Sequence, residues 1–148
     1  MVLRNRLKWF YLLLFLSVMS VSIKAQNVNV VITGIRSTDG QIIIGVYKDE
    51  KSFKDDVPFE RKRFKKSNIS NGEMKVNMKL SPGTYGFALL DDENLDDEMN
   101  YSFIGIPKEG FGFSNYYHTN LSRPKFDVFK FEIQDSQVKN VVCKIKYM

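Results

Sequence analysis

The sequence holds one cysteine and one histidine among its 148 residues. A single thiol excludes a disulfide within the chain. Because Cys143 shares the apolar face of a predicted strand with Val141 and Ile145, we predict that it is buried and inert. One histidine and one buried cysteine cannot supply a tetrahedral zinc shell. His118 also lacks a motif that pairs it with a serine or cysteine nucleophile, so we predict a surface histidine and no enzyme.

Long apolar runs are equally scarce, and the one that stands out lies near the N-terminus. Residues 9–21, WFYLLLFLSVMSV, carry no charge and follow three basic residues. That order is typical of a secretory signal, whereas a membrane span needs about 20 apolar residues. We predict a signal peptide over residues 1–25, with an uncleaved anchor as the rival interpretation. Residues 26–148 are then one exported domain, periplasmic or extracellular, with no membrane span.

Neither sign of charge is in excess outside that segment. Four of the 22 basic residues and none of the 17 acidic residues lie within residues 1–25, so the remainder is nearly neutral. Phosphate binding depends on clustered positive charge, and nucleic acid is therefore excluded as a predicted partner. We interpret the basic run RKRFKK, residues 61–66, as a solvated loop or edge strand, because lysines protect exposed sheet edges. A polyanionic surface polysaccharide is the alternative partner for this run.

Alternation of apolar and polar residues is the main pattern in residues 26–148. It is clearest in EMKVNMKL, where residues 74, 76, 78 and 80 are apolar and lysine or asparagine separates them. Similar period-two segments surround Val30, Ile44, Phe87, Phe131 and Cys143, the fourth of them beginning at Phe129. Such alternation is typical of strands with one buried face.

Turn residues separate these segments. Asp39-Gly40, Asn71-Gly72 and Ser81-Pro82-Gly83 suit tight turns. The only candidate for helix is a short turn at DEKSF, residues 49–53. We therefore predict an all-β fold, an antiparallel β-sandwich of about seven strands.

Residues 91–115, DDENLDDEMNYSFIGIPKEGFGFSN, form an acidic and then aromatic segment. Oxygen ligands at every second position, as in D-x-[DN]-x-[DN], are typical of calcium loops. The candidate calcium ligands are Asp92, Asn94, Asp96, Glu98 and Asn100, with Glu98 offering its carbonyl oxygen. Asp97 and Phe103 stand where the turn glycine and the closing glutamate of such a loop would be.

The acidic half allows two other interpretations. A solvated loop could use the same side chains to cap backbone N–H groups in Asx turns, and this alternative stays open. Paired carboxylates could also cleave glycosides. We reject glycoside cleavage because residues 91–98 are expected on one flexible loop, where nothing fixes the distance between two carboxylates.

The aromatic half needs a different explanation. Its phenylalanines are too numerous for a solvated loop, so they either form a lid over an open end of the sandwich or an exposed binding surface. Lys108 and Glu109 are expected to be exposed at the tip. The candidate binding residues are Lys108, Glu109, Phe111, Phe113, Tyr116 and Tyr117.

Three stretches carry a resemblance to a known family: LSPGTYGFALLDDEN (80–94), GIPKEGFGFSN (105–115) and PKFDVFKFEI (124–133). They resemble the exported bacterial family catalogued as domain of unknown function 2141. The resemblance implies an immunoglobulin- or transthyretin-like sandwich and no established activity. It also implies a calcium loop degraded from the family's own, because Asp91 replaces a histidine, Leu95 and Asp97 replace glycines, and Asn100 replaces an aspartate.

Two classes of non-enzymatic function fit these features. The first is an exported binding or adhesion module that contacts a cell-surface protein through residues 91–120. The second is a structural or accessory domain stabilised by calcium in the acidic loop, calcium being the only candidate cofactor. A weaker third reading is glycan binding, with Tyr116, Tyr117 and the loop phenylalanines as stacking surfaces.

Overall fold

The computed structural model describes residues 25–120 and 122–148. The predicted signal peptide, except Ala25, lies outside the described residues. The elements in chain order are β1 (Gln26–Thr33), β2 (Gln41–Tyr47), α1 (Glu50–Lys54), β3 (Glu60–Lys65), β4 (Met74–Leu80), β5 (Gly83–Asp92), β6 (Gly110–Phe113), a 3-10 helix (Phe126–Val128), β7 (Phe131–Ile133) and β8 (Lys139–Lys144). In this part of the chain, no helix has the length and apolar character needed to cross a membrane.

The strands form two sheets, which confirms the predicted β-sandwich. One sheet has the order β4-β1-β8, and the other has the order β3-β2-β5-β6, with β7 also pairing with β5. The two short strands share one edge of β5, because β7 pairs with its beginning and β6 with its end. Strand pairing is antiparallel except between β1 and β8, which run parallel.

The main core lies between the two sheets and follows the alternation in the sequence. In β4 the apolar residues are buried and the lysines and asparagine are exposed. The fully buried side chains of this core include Val28, Val30, Ile32, Ile42, Ile44, Phe87, Val141 and Cys143. Burial raises the pKa of the Cys143 thiol and holds it protonated, as predicted for an inert cysteine.

A second apolar cluster covers the outer face of the five-stranded sheet. It joins Tyr47 of β2 and Phe53 of α1 to Phe113, Phe126 and Phe129. The predicted turn at residues 49–53 is confirmed as the start of α1, where Asp49 and Ser52 form a capping box. Phe53 is thereby placed edge-on against Phe129, with ring centroids 4.8 Å apart.

Three sequence-based predictions are corrected by this cluster. Phe129 lies before β7 rather than in it, because Gly86 leaves room for its ring: a Cβ at Gly86 would lie 2.6 Å from it. Phe111 and Phe113 pack on the outer sheet face, half-buried and buried, and do not form a lid over an open end. His118 is buried rather than on the surface, and its ring lies 5.7 Å from that of Phe113.

The basic run forms β3, an edge strand of the five-stranded sheet, as one of its two interpretations predicted. Arg61, Arg63 and Lys65 are exposed along this edge. Lys66 departs from the prediction because it follows β3, turns inward and is buried. Its partner lies at the far end of β5, where the candidate functional site begins.

Candidate cation site and the buried charges beneath it

β5 ends in two buried acidic residues, Asp91 and Asp92. Both had been expected on a flexible loop, and the structure corrects this, since strand pairing fixes their positions. Alternation along β5 turns Asp91 towards the core and Asp92 towards the opposite face. Gln41, opposite Asp92 in β2, donates from Nε2 to Asp92 Oδ2 over 2.7 Å. Strand pairing and the hydrogen bond from Gln41 therefore fix the position and the orientation of Asp92.

The loop after β5 is ordered by side chains that accept backbone N–H groups. Asp92 accepts from Asp96 N (3.2 Å) and Asp97 N (3.1 Å), and Asp96 accepts from Glu98 N (2.9 Å). These are the Asx-type contacts that the sequence raised as an alternative. Leu95 and Asp97 have φ values of 63° and 67°. Both positions at which the resemblance places glycines thus adopt the left-handed conformation that glycine favours.

Asp97 points away from the loop interior towards β3. Arg63 binds it with two hydrogen bonds, Nε to Oδ1 over 2.7 Å and Nη2 to Oδ2 over 3.1 Å. The Arg63 guanidinium lowers the pKa of the Asp97 carboxyl. The ion pair between Asp97 and Arg63 therefore connects the loop to β3.

Glu109 was expected to be exposed at the loop tip, and the structure shows it buried. Its Oε1 accepts from Glu93 N over 3.2 Å, and its Oε2 accepts from Asn100 N over 3.1 Å. The Glu109 side chain thus forms hydrogen bonds with both sides of the loop. Burial raises the pKa of the Glu109 carboxyl, and the nearby charges of Asp92 and Asp96 raise it further.

Asp92, Asp96 and Glu109 form what we term the carboxylate cluster. One carboxylate oxygen from each residue lies within 4.8 Å of the other two, close enough to bind one metal ion. Among residues 25–120 and 122–148, no lysine, arginine or histidine forms an ion pair with any of the three. The cluster therefore concentrates negative charge without a protein cation.

The structure brings together only part of the ligand set predicted from the sequence. Asp92 and Asp96 belong to the carboxylate cluster, and the amide groups of Asn94 and Asn100 each donate to Asp96 Oδ2 over 2.8 Å. Glu98 is exposed and lies outside the cluster. Glu109 was missed as a ligand because motif spacing compares residues along one loop and does not reach the next strand.

Beyond the carboxylate cluster, the loop continues as a tight hairpin whose tip is apolar. Tyr101 pairs with Pro107, and Ser102 accepts from both Gly105 N and Ile106 N. Phe103 at the tip is fully exposed, and Ile104 is largely exposed. Of the predicted binding residues, Lys108 and Tyr117 are also exposed, Tyr116 and Phe111 are half-buried, and Glu109 and Phe113 are buried.

A second group of charges lies beneath the loop, inside the sandwich. Lys66 forms an ion pair with Asp91, and neither side chain is exposed to solvent. The Tyr147 hydroxyl donates to the second oxygen of Asp91 and accepts from Arg36 N. Burial raises the pKa of the Asp91 carboxyl, whereas Lys66 and Tyr147 act to lower it.

The comparisons with known proteins concern this same region. A family model described as "Uncharacterized protein conserved in bacteria (DUF2141)" matches residues 30–141, from β1 into β8. Neither the curated proteins nor the solved structures include a significant match to the chain. The matched segment contains both the carboxylate cluster and the Lys66–Asp91 pair, and it confirms the resemblance noted in the sequence. The chain belongs to the bacterial family of domain of unknown function 2141.

Proposed function

We propose that this chain is an exported, non-enzymatic β-sandwich domain whose carboxylate cluster binds calcium and is stabilised by it. The observation that carries the proposal is the burial of Glu109 beside Asp92. The β5–β6 register pairs Asp91 with Gly110, so the next position places Glu109 across from Asp92. Like charges directly opposite each other destabilise a sheet, and buried charges are normally paired or bound to a metal.

The Asx-turn alternative explains less of this geometry. Capping of backbone N–H groups accounts for the positions of Asp92 and Asp96. Glu109 comes from outside the acidic loop and also accepts backbone N–H groups, but these hydrogen bonds do not remove the repulsion between its buried charge and those of Asp92 and Asp96. A cation removes the repulsion among all three.

The donor set favours calcium over transition metals. The carboxylate cluster offers oxygen only, and hard cations such as calcium take six to eight oxygen ligands. Cys143 and His118, the softer donors, are packed in the main core and the second cluster. The same packing supports the non-enzymatic part of the proposal, since it separates the only thiol from the only imidazole.

Thermal melting of the chain in calcium and then in chelator tests this proposal. Binding to the folded state stabilises it by about 2.7 kcal/mol at a ligand concentration near 100 times Kd. We expect a higher Tm in calcium, and no shift for Glu109→Gln, which removes one charged ligand. Equal melting temperatures of the wild-type chain in calcium and in chelator contradict the proposal.

A second candidate function is partner binding through the hairpin tip. Phe103 is fully exposed and Ile104 is 74 % exposed, on a loop held by its own hydrogen bonds. Exposed apolar side chains on an ordered loop are typical of contact sites. We propose a cell-surface protein or glycan as the partner. This differs from the predicted set, because Phe111 and Phe113 are withdrawn into the second cluster.

Surface binding of the labelled chain to intact cells tests the partner proposal. The double variant Phe103→Ser with Ile104→Ser is expected to lose binding and keep the wild-type Tm. Val142→Ser, also at an exposed apolar position, serves as a control that leaves binding unchanged. On a glycan array, signal that depends on Tyr116 and Tyr117 supports the carbohydrate reading instead. Undiminished cell binding by the double variant contradicts a role for the tip.

A further inference from the structure

Lys66 and Asp91 meet inside the sandwich, at the ends of β3 and β5. Ile42 of β2 is paired with Phe64 on one side and with Asp91 on the other, so the two charged residues approach each other across β2. Lys66 Nζ contacts Asp91 Oδ1, and both side chains are completely shielded from solvent.

A simple ion pair leaves the Lys66 ammonium poorly satisfied. An ammonium carries three N–H donors, and a buried charge pair is stable only when its remaining donors also find partners. Within the described residues, Nζ has no hydrogen-bond acceptor besides this one contact with Asp91. An amide nitrogen carries a single N–H and no charge, so fewer buried donors would be left without an acceptor.

We propose that Lys66 and Asp91 condense into an intramolecular isopeptide bond between Nζ and Cγ. One proton passes from the Nζ ammonium to Asp91 Oδ1, giving an amine and a carboxylic acid. Nζ then attacks Cγ, which is one bond from the oxygen it already contacts. A second proton passes from Nζ to Oδ1, which leaves as water, and the third remains as the amide N–H. Atoms and charge balance with no cofactor or oxidant.

Tyr147 occupies the position needed to assist this step. Its hydroxyl donates to Asp91 Oδ2, the oxygen that holds negative charge when Nζ attacks. Arg36 N donates to the same hydroxyl over 3.1 Å and fixes its orientation. Gly110 makes room for the ring, since a Cβ there would lie 2.5 Å from Tyr147 Cε1.

Proximity accelerates the condensation, and burial protects its product. Groups held in contact react with effective concentrations of about 10⁵–10⁸ M, and exclusion of water protects the amide from hydrolysis. The bond closes a ring that contains β4, which belongs to the opposite sheet. It would join the ends of β3 and β5, two strands of the five-stranded sheet, in a chain whose single cysteine excludes an internal disulfide.

Intact mass spectrometry of the denatured full chain tests the bond directly. We expect a mass lower by one water molecule than the sequence requires. Trypsin should then release residues 66–75 joined to residues 80–108, because it does not cleave after a lysine whose amine is acylated. Lys51 and Asp55, 2.6 Å apart but exposed, are an internal control that should stay unlinked. A full mass, or a water loss located elsewhere, overturns the proposal.

Three variants test which residues are required for the isopeptide bond. Lys66→Met keeps an apolar chain of similar length and should show its full mass. Asp91→Asn should release ammonia instead of water and give the same linked product as the wild-type chain. Tyr147→Phe should slow the reaction and give a mixture of linked and unlinked masses after expression. A linked mass in Lys66→Met contradicts the assignment of Lys66, and complete linkage in Tyr147→Phe contradicts the role of Tyr147.

Discussion

Glu109 lies beside Asp92, with a carboxylate oxygen of each within 4.8 Å of the other. The two residues are brought together by the β5–β6 register, which pairs Asp91 with Gly110. Both are buried, and the only further carboxylate in the cluster is that of Asp96. A sheet that buries like charges at its edge gains stability from any cation that binds between them, and the following predictions depend on this relation.

Replacement of Glu109 by glutamine should stabilise the calcium-free protein and abolish its response to calcium. The amide keeps the size and one of the two acceptor oxygens, and it removes the charge that faces Asp92 and Asp96. We expect the loss of repulsion to outweigh the loss of one hydrogen bond. Differential scanning calorimetry in chelator should therefore give a higher Tm for Glu109→Gln than for the wild-type chain. Glu98→Gln, on an exposed acid outside the cluster, should change neither quantity. A calcium shift retained in Glu109→Gln argues against Glu109 as a ligand.

The gain in free energy of unfolding that Glu109→Gln gives over the wild-type chain should depend on pH. The folded-state pKa of Glu109 is raised above its ordinary value of 4.5, so the folded state binds the proton more tightly than the unfolded state. Wild-type stability is therefore lost as pH rises from 4.5 through the folded pKa. The difference in free energy of unfolding between Glu109→Gln and wild type, measured in chelator, should grow across that window and then level off. A difference that is constant or shrinks with pH is inconsistent with the repulsion.

Gly40 should be required for the geometry of Asp92. It has φ +76°, and a Cβ at this position would lie 2.0 Å from the Asp92 carbonyl oxygen. Gly40→Ala should lower the free energy of unfolding by more than about 1 kcal/mol, since it combines strain with a backbone clash. It should also weaken the calcium response because Asp92 must move.

Gly105→Ala is the matched control for Gly40→Ala. Gly105 has φ +77°, yet nothing lies within 4 Å of the added Cβ. This variant suffers only the conformational strain and should keep the calcium response. Equal stability losses in the two variants, measured by urea denaturation, would show that the contact with Asp92 is unimportant.

Ser114 should stabilise the junction of β5, β6 and the segment before β7. Its hydroxyl donates to Phe129 O over 2.6 Å and accepts from Phe87 N over 2.8 Å, in a fully buried site. Ser114→Ala leaves both backbone groups unsatisfied and should lower the free energy of unfolding by about 1–3 kcal/mol. Ser122→Ala, at an exposed position, should change it by less than about 0.5 kcal/mol. Similar unfolding curves for the two variants count against this role.

The sequence predicted the sandwich because local patterns and tertiary contacts agree in most strands. In β4 the period-two alternation coincides with the buried face, and the short turn predicted at residues 49–53 coincides with the start of α1. The placement of Phe129 in a strand was wrong, because apolar alternation does not distinguish a strand from a turn that packs on a glycine. The alternating apolar residues Ile43 and Tyr47 indicate that the outer face of β2 is partly covered, but the residues that cover it could not be predicted, since they lie on elements distant in the chain.

The candidate site was predicted only in part, for a related reason. Asp92 and Asp96 are four residues apart in the chain, and their spacing was visible as a calcium-like motif. Glu109 becomes a neighbour of Asp92 only through hairpin register, and recognition of β6 as the partner of β5 would have revealed it. Lys66 was assigned to a solvated run because it ends a stretch of basic residues, and nothing in a basic hexapeptide marks the residue that turns inward.

Calorimetric titration of calcium into the chelator-stripped wild-type chain tests the central claim most directly. We predict saturable binding of one ion per chain, strongly weakened in Asp92→Asn and Glu109→Gln and preserved in Glu98→Gln. Absence of saturable calcium binding to the wild-type chain, or equal binding by all four proteins, would contradict it.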